Sequence, residues 1–527
     1  MIRLTPKSIS MMLLPVLLAF GCMPSDEFGA GQQIEYTVQL RSGMVLEDGM
    51  TDSLSLLRVT ANAVVRKPLF SPAAGETISR MFSGHTGVDS DTLCVLTRAT
   101  DSRRTDVHPT LHVINTASGQ TTRYMVGSQF SKHRFSPDGK MLILYHGEND
   151  SYEGGLGNPN EIAVINLDAA PVALNDAAPI SVPNPRFMSV DITGHTISDI
   201  HFPGTIQVGA TDRNFVAFVT EGAIQFTDFN EKTLPSITVS LKNETDTRQI
   251  VPTRFEIVHG DTTRDPRIFV QASNASELYD IELHERMDDT GYYATTSLLD
   301  GGSQPADFTV VQDDGEILVV STAASRNQIH IFEASTARVT SLEVTSRLTS
   351  ILNRTGDSGV ELVLYGAGNR IYFLSADGLK TEMGDNLTYM SIPEGIRSVR
   401  VLDDDRLLIQ PQSSGLIIVD LRTRNLTHLK GQINFDPAKN LLWQNTLFLT
   451  SGRTVHYLGI LTGSPGALEL DEPIDAFHIF AAQGVGMTIH DTPTGRVTLF
   501  PLSAPERARC RVFDGFLVTG ILNRGEE

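Results

Sequence analysis

Short apolar strands that recur roughly every 40 to 60 residues, turn-forming residues between them, and few long amphipathic helical patterns predict an all-β chain. The expected architecture is a single β-propeller of seven or eight four-stranded blades. A lone four-stranded sheet leaves both faces wet. Packed radially against neighbours, it buries both faces and keeps only short edges. The repeat is clearest in what reads as the third strand of each blade: LHVIN at 111–115, IAVIN at 162–166, IQFTD at 224–228 and LYDIE at 278–282. IHIFE at 329–333, IYFLS at 371–375 and LIIVD at 416–420 continue the series, with fainter copies VHYLG at 455–459 and VTLF at 497–500. These are nine signals, and rings of seven or eight are the common solutions, so the weak last members read as part of ring closure.

The strongest hairpin is Arg134-Phe135-Ser136-Pro137-Asp138-Gly139-Lys140 followed by Met141-Leu142-Ile143-Leu144. Pro137 presets φ, Asp138 can bond its own backbone, and Gly139 supplies the positive φ of a tight turn. Weaker versions stand at Gln312-Asp313-Asp314-Gly315-Glu316 and Leu402-Asp403-Asp404-Asp405-Arg406. The Phe-Ser-Pro-Asp-Gly-Lys run resembles the strand-turn motif of bacterial propellers of the TolB-like, lactonase-like and WD40-like groups, strongly in this one blade and in degenerate form elsewhere. The Trp-Asp ending of true WD40 repeats is absent, and the single tryptophan, Trp443, excludes the tryptophan-docking repeats of quinoprotein-type propellers.

The N-terminus gives an address. Arg3 and Lys7 precede the apolar run from Met11 to Phe20, too short to span a bilayer and right for a signal-peptide core. Gly21-Cys22 then resembles a bacterial lipobox, in which Cys22 is lipidated and becomes the mature N-terminus. Ala19-Phe20-Gly21 also satisfies ordinary signal cleavage, which would leave a soluble secreted chain. Residues 1–22 are thus a signal peptide of lipoprotein type and 23–33 a small, polar tether. Met23, not Asp, follows the cysteine, so the inner-membrane retention signal of enteric lipoproteins is missing, and the expected address is the outer membrane, facing periplasm or cell surface. Residues 34–84 form an N-terminal segment that contributes a ring-closing strand, and 85–522 form the propeller, with the apolar stretch from Cys510 onward completing the first blade.

The chain of 527 residues carries a net charge of −20. Such a surface repels phosphate backbones and anionic lipid, so nucleic acid is excluded as a partner and the membrane is reached through the lipid anchor alone. Cys94 and Cys510 lie near the two ends of the repeat region. In an exported protein they either oxidise to a disulfide that closes the ring or remain two buried thiols.

The loop at 147–161 is the most unusual insertion, and its Glu148, Asn149, Asp150 and Glu153 are clustered hard oxygen donors. Ca2+ is the ion they suit, although the spacing is not that of an EF-hand; a solvated or partner-binding loop is the other reading. No other cofactor is identified, because the sequence holds no P-loop, dinucleotide fingerprint, His-Glu-x-x-His or Gly-x-Ser-x-Gly motif. Acidic pairs at Asp288-Asp289, Asp313-Asp314 and 403–405 read as hairpin-turn residues. Gly356-Asp357-Ser358-Gly359 matches a serine-protease nucleophile segment by chance and reads as a hairpin. His112, His330 and His456 share one place within their strands, a structural position. With no catalytic constellation, the function expected is binding: a tethered disc presenting loops to another envelope protein, a glycan or a small ligand. The alternative is a hydrolase or lactonase-like enzyme with its site at the central channel.

Overall fold

A computed structural model describes residues 34–514 apart from internal loop segments, the longest being 101–107, 148–157, 173–182, 376–386 and 430–440. The described residues form ten antiparallel sheets, each made of four strands consecutive in sequence and ordered 1-2-3-4. They span 34–70, 76–125, 132–189, 199–240, 252–300, 305–343, 350–391, 396–429, 441–469 and 476–514, numbered here as blades 1 to 10. Blade 4 carries one extra strand, Thr205–Val208, which pairs with the start of the long strand Thr211–Thr220.

The blade middles show why the sheets form a ring. Leu142, Ile143 and Leu144 in the second strand of blade 3 are all buried, so the run is apolar without alternation, as in a sheet covered on both faces. Leu142 and Leu144 pack toward blade 2 with Cys94 and Leu96, while Ile143 and Tyr145 pack toward blade 4 with Val216 and Phe218. Ten apolar layers follow this plan, each between neighbouring blades. The tenth sets Met44, Leu46 and Leu57 of blade 1 against Phe480, Met487 and Leu499 of blade 10, and it closes the circle. A fully buried side chain of this kind contributes about 1.5–3 kcal/mol, so each layer is a large share of the fold's stability.

The expected count of seven or eight blades is corrected to ten. All nine third-strand signals are third strands of separate blades, from Thr110–Asn115 in blade 2 to Arg496–Pro501 in blade 10. The discounted signals at 455–459 and 497–500 belong to full sheets, because strands before and after them pair with them. Residues 34–84 hold all of blade 1 and the first strand of blade 2, Glu76–Ser83, in place of a lone closing strand. Arg511–Asp514 pairs within blade 10 rather than completing blade 1. Closure therefore uses face packing. Hydrogen bonds across the seam support it: the Gln39 amide donates to the Ile479 carbonyl (2.9 Å) and Gln39 Oε1 meets His478 Nδ1 (2.9 Å).

The Ser136–Lys140 turn forms as its residues dictate. Gly139 has φ +71°, and its amide donates to the Ser136 carbonyl. The Ser136 hydroxyl and the Lys140 amide both donate to Asp138 Oδ1, which holds that carboxyl below its usual pKa. A Cβ on Gly139 would come within 2.8 Å of the His85 ring of blade 2, so the turn also needs a bare backbone for packing.

First strands of neighbouring blades meet around the channel, and on one arc carboxylates lock them. Glu256 in blade 5 accepts from the Val310 amide (2.6 Å) and the Thr309 hydroxyl in blade 6. Asp307 in blade 6 accepts from the Ile351 amide of blade 7 (2.7 Å) and pairs with Arg254 of blade 5. Asp307→Ala leaves the Ile351 amide unpaired and removes the polar link among three blades. It should lower the unfolding free energy by about 1–3 kcal/mol in urea titrations, and an unchanged midpoint would contradict the locking role.

Candidate functional site

On the arc of blades 2 to 5 the first strands border a cavity of about 940 Å3. Strand alternation decides which side chains face it. In Lys132–Phe135 the register sets Lys132 opposite Tyr145 and Arg134 opposite Ile143, so both cations share the blade-3 face that looks toward blade 4. His133 and Phe135 lie on the other face, where His133 stacks on Phe82 of blade 2 with ring centroids 3.7 Å apart. Arg80 of blade 2 completes the cationic side.

The opposite wall comes from blades 4 and 5. In Asp199–His201, Ile200 packs into the layer toward blade 3, so Asp199 and His201 turn toward blade 5. There His201 meets Phe255 at 4.4 Å, and Ile257 stands on the same face of its strand as Phe255. Phe202, next in the alternation, packs with Ile200 into the layer toward blade 3, and Pro203 follows it along the cavity. The hairpin Thr205–Val208 with Thr211–Thr220 grows from the chain just beyond them. Among the described lining residues are Arg80, Lys132 and Arg134 of blades 2 and 3, and His201 and Phe255, which meet between blades 4 and 5.

Burial, reinforced by Arg80, Arg134 and Lys132, pushes His133 down to about 3. Burial works against the Asp199 carboxylate, but the contact to His201 (3.2 Å), the Ile200 amide and Arg134 together hold its pKa below the usual range. Tyr145 is pushed up to about 12 by burial and by Asp199.

Two of the lining residues are poorly placed for acid–base or nucleophilic chemistry. His133 is neutral at any physiological pH. The Ser198 hydroxyl donates to the Val219 carbonyl (3.1 Å) rather than to an imidazole.

The residues singled out in the sequence lie elsewhere. Cys22 and the oxygen donors Glu148, Asn149, Asp150 and Glu153 fall outside the described residues. Cys94 and Cys510 are not brought together: Cys94 is buried in the layer between blades 2 and 3, Cys510 packs between blades 9 and 10, and both are free thiols. Burial pushes Cys94 up to about 12, which makes it inert. His112, His330 and His456 sit in third strands, and burial lowers the pKa of each. Gly356 pairs with Gly359 across a hairpin. Asp403 accepts from the Asp405 amide (3.0 Å), ordinary turn chemistry, while Asp288, Asp289 and Asp314 lie outside the described residues. Among the described residues, one group with metal-ligand donors comes together, Asp265, Glu282 and His284, with ligand atoms within 4.8 Å of one another. Its imidazole bonds Asp265 (2.7 Å) and the Thr295 hydroxyl (3.0 Å), which satisfies both ring nitrogens without an ion.

Only Arg134, Phe135 and Pro137, which belong to the hairpin motif, tie the sequence reading to the cavity. Its residues run from Arg80 to Ile257 and share no motif.

No family model matches the sequence, and no curated protein matches it. Among solved structures, a eukaryotic initiation factor aligns at a TM-score of 0.40 and 10% identity, covering 91% of this chain and 98% of that one. The Dos1 propeller aligns at 0.34 and 13% identity over 75% and 96%. The dihydro-heme d1 dehydrogenase NirN aligns at 0.36 and 10% identity over 71% and 73%. Functional reading therefore stands on this chain's own residues.

His133 provides a pH test of the site's packing. Its folded-state pKa lies below the unfolded value near 6.5, so as pH falls the unfolded chain takes up the proton first. The stability it contributes is whole above about 6.5 and is lost progressively toward about 3. Urea midpoints should fall with acid across that window. In His133→Phe, which keeps a ring against Phe82, the fall should be shallower; parallel slopes in the two proteins would contradict the assignment.

Proposed function

We propose that the chain is an envelope-anchored binding protein whose ligand occupies the channel cavity between blades 2 and 5. The cavity itself carries the reading. It falls within the volume range of small-molecule sites, is walled by a rigid scaffold, and combines apolar surface with a few charged groups. Sequence features supply the address: a signal peptide cleaved before Cys22, lipid on that cysteine, and the 23–33 tether that holds the disc off an outer membrane. An exported binding protein of this kind meets its ligand in the periplasm or at the cell surface, and its loops are where an envelope partner would dock.

Two measurements test the halves separately. Cys22→Ser should move the protein from the membrane fraction to the soluble fraction; retention in the membrane would contradict the anchor. Native mass spectrometry of the protein taken from its own envelope should show a small-molecule adduct in the wild type that is lost in Phe255→Ala. A bare mass in both, with a reproducible protein neighbour in in-cell crosslinking, would make the disc a scaffold without a ligand.

A further inference from the structure

Blade 5 brings together three donors away from the cavity. Its third strand, Glu277–Glu285, and fourth strand, Tyr292–Asp300, pair from Glu277 with Asp300 to Glu285 with Tyr292. The second strand, Arg267–Ala272, reaches only to the pair of Arg267 with Glu282. The third and fourth strands therefore run on past it as a two-stranded ribbon. Strand alternation sorts the side chains of this ribbon. Ile281 and Leu283 are buried in the layer toward blade 4, so Glu282 and His284 share the other face. Thr295 stands opposite Glu282 there, and Tyr293 opposite His284. Asp265, two residues ahead of the second strand, reaches the same imidazole. One donor atom each from Asp265, Glu282 and His284 then lie within 4.8 Å of one another. None of the three is among the described residues that line the cavity.

The imidazole is set before any ion arrives. Nδ1 meets Asp265 at 2.7 Å and Nε2 meets the Thr295 hydroxyl at 3.0 Å, which fixes the ring in its plane. Tyr293 stacks on it, with centroids 4.7 Å apart and planes 26° apart. Glu282 is left without a bond or ion pair to any described residue. Arg267, its neighbour across the sheet, directs its guanidinium to Asp280 and the Ala334 carbonyl instead. A held imidazole, a carboxylate bonded to it and a carboxylate with no bond of its own form a mixed nitrogen and oxygen donor set. We propose that Asp265, Glu282 and His284 bind a zinc ion, through one oxygen of each carboxylate and Nδ1 of the imidazole. The ion replaces the hydrogen bond between Asp265 and His284. The ring proton moves from Nδ1 to Nε2, where the Thr295 hydroxyl accepts it, the outer contact that orients a ligating histidine. Zinc bonds to such donors are about 2.0–2.2 Å, so these side chains reach one ion by shifts on the order of 1 Å. Imidazole with carboxylate suits zinc, whereas calcium takes oxygen ligands only. Three protein ligands leave a fourth position for water.

The site stands apart from the cavity, and neither reading depends on the other. The experiment strips the purified full-length protein with EDTA and titrates it with zinc chloride and with calcium chloride by calorimetry. One zinc per chain should bind with a micromolar or tighter dissociation constant, with calcium at least tenfold weaker. His284→Gln and Glu282→Gln should each weaken zinc at least tenfold, and Thr295→Val about tenfold by loss of the orienting contact. Thermal melts in EDTA check that the variants fold. X-ray absorption at the zinc edge of the wild type, which needs no variant, should show one imidazole nitrogen among oxygen ligands. No zinc binding, or zinc affinity unchanged in both His284→Gln and Glu282→Gln, would overturn the site. An all-oxygen shell, or calcium bound as tightly as zinc, would overturn the role of the imidazole. Unchanged affinity in Thr295→Val would overturn the assignment of Nδ1 as the ligand.

Discussion

Every blade depends on having a neighbour on each side. The middle strands carry apolar residues on both faces, as Leu142, Ile143 and Leu144 in blade 3 and Leu318, Val319 and Val320 in blade 6 do. A sheet built this way has no wet face, so an open row of such sheets would expose an apolar surface at each end. Closure removes both ends at once. Here it is made by blade 1 lying face to face on blade 10, with Gln39 bonded to Ile479 and His478 at the seam. Each blade is formed from strands that follow one another in the chain, so no strand is exchanged between the termini.

The wide ring has a consequence at its centre. Ten blades set the first strands around a larger circle than seven would, and they cannot all fill the axis with their own side chains. On the arc of blades 5 to 7 the gap is taken up by Glu256, Arg254 and Asp307, which tie strand to strand. On the arc of blades 2 to 5 the same positions border the cavity. One arc is thus tied strand to strand by side chains, and the other leaves a preformed space between its first strands.

Much of the fold was legible because blade interiors repeat one physical demand. A third strand buried on both faces must be a short apolar run, and nine such runs were visible, each a true third strand. Common ring sizes favour seven or eight blades, and the faint copies at 455–459 and 497–500 carry the count beyond them. Those are faint because Tyr457 and Thr498 break the aliphatic pattern, not because the blades are incomplete. Blade 1 is hard to read in the sequence because its third strand, Ser53–Val59, interrupts the apolar run with Ser55 and Arg58. The cavity was not legible for a different reason. First strands are short and half-buried, three residues in Asp199–His201 and four in Lys132–Phe135, and periodicity has no grip on so few positions. Arg80, Arg134 and Phe255 become neighbours only once the ring has closed.

The central claim is the ten-bladed closed ring, and its most direct test is cryo-electron microscopy of the purified chain viewed down the disc axis. Ten radial sheets in one unbroken circle, with the first and tenth in contact, are the result expected. A circle of seven or eight blades with the remaining sheets outside it, or a gap between the first and last sheets, would contradict it.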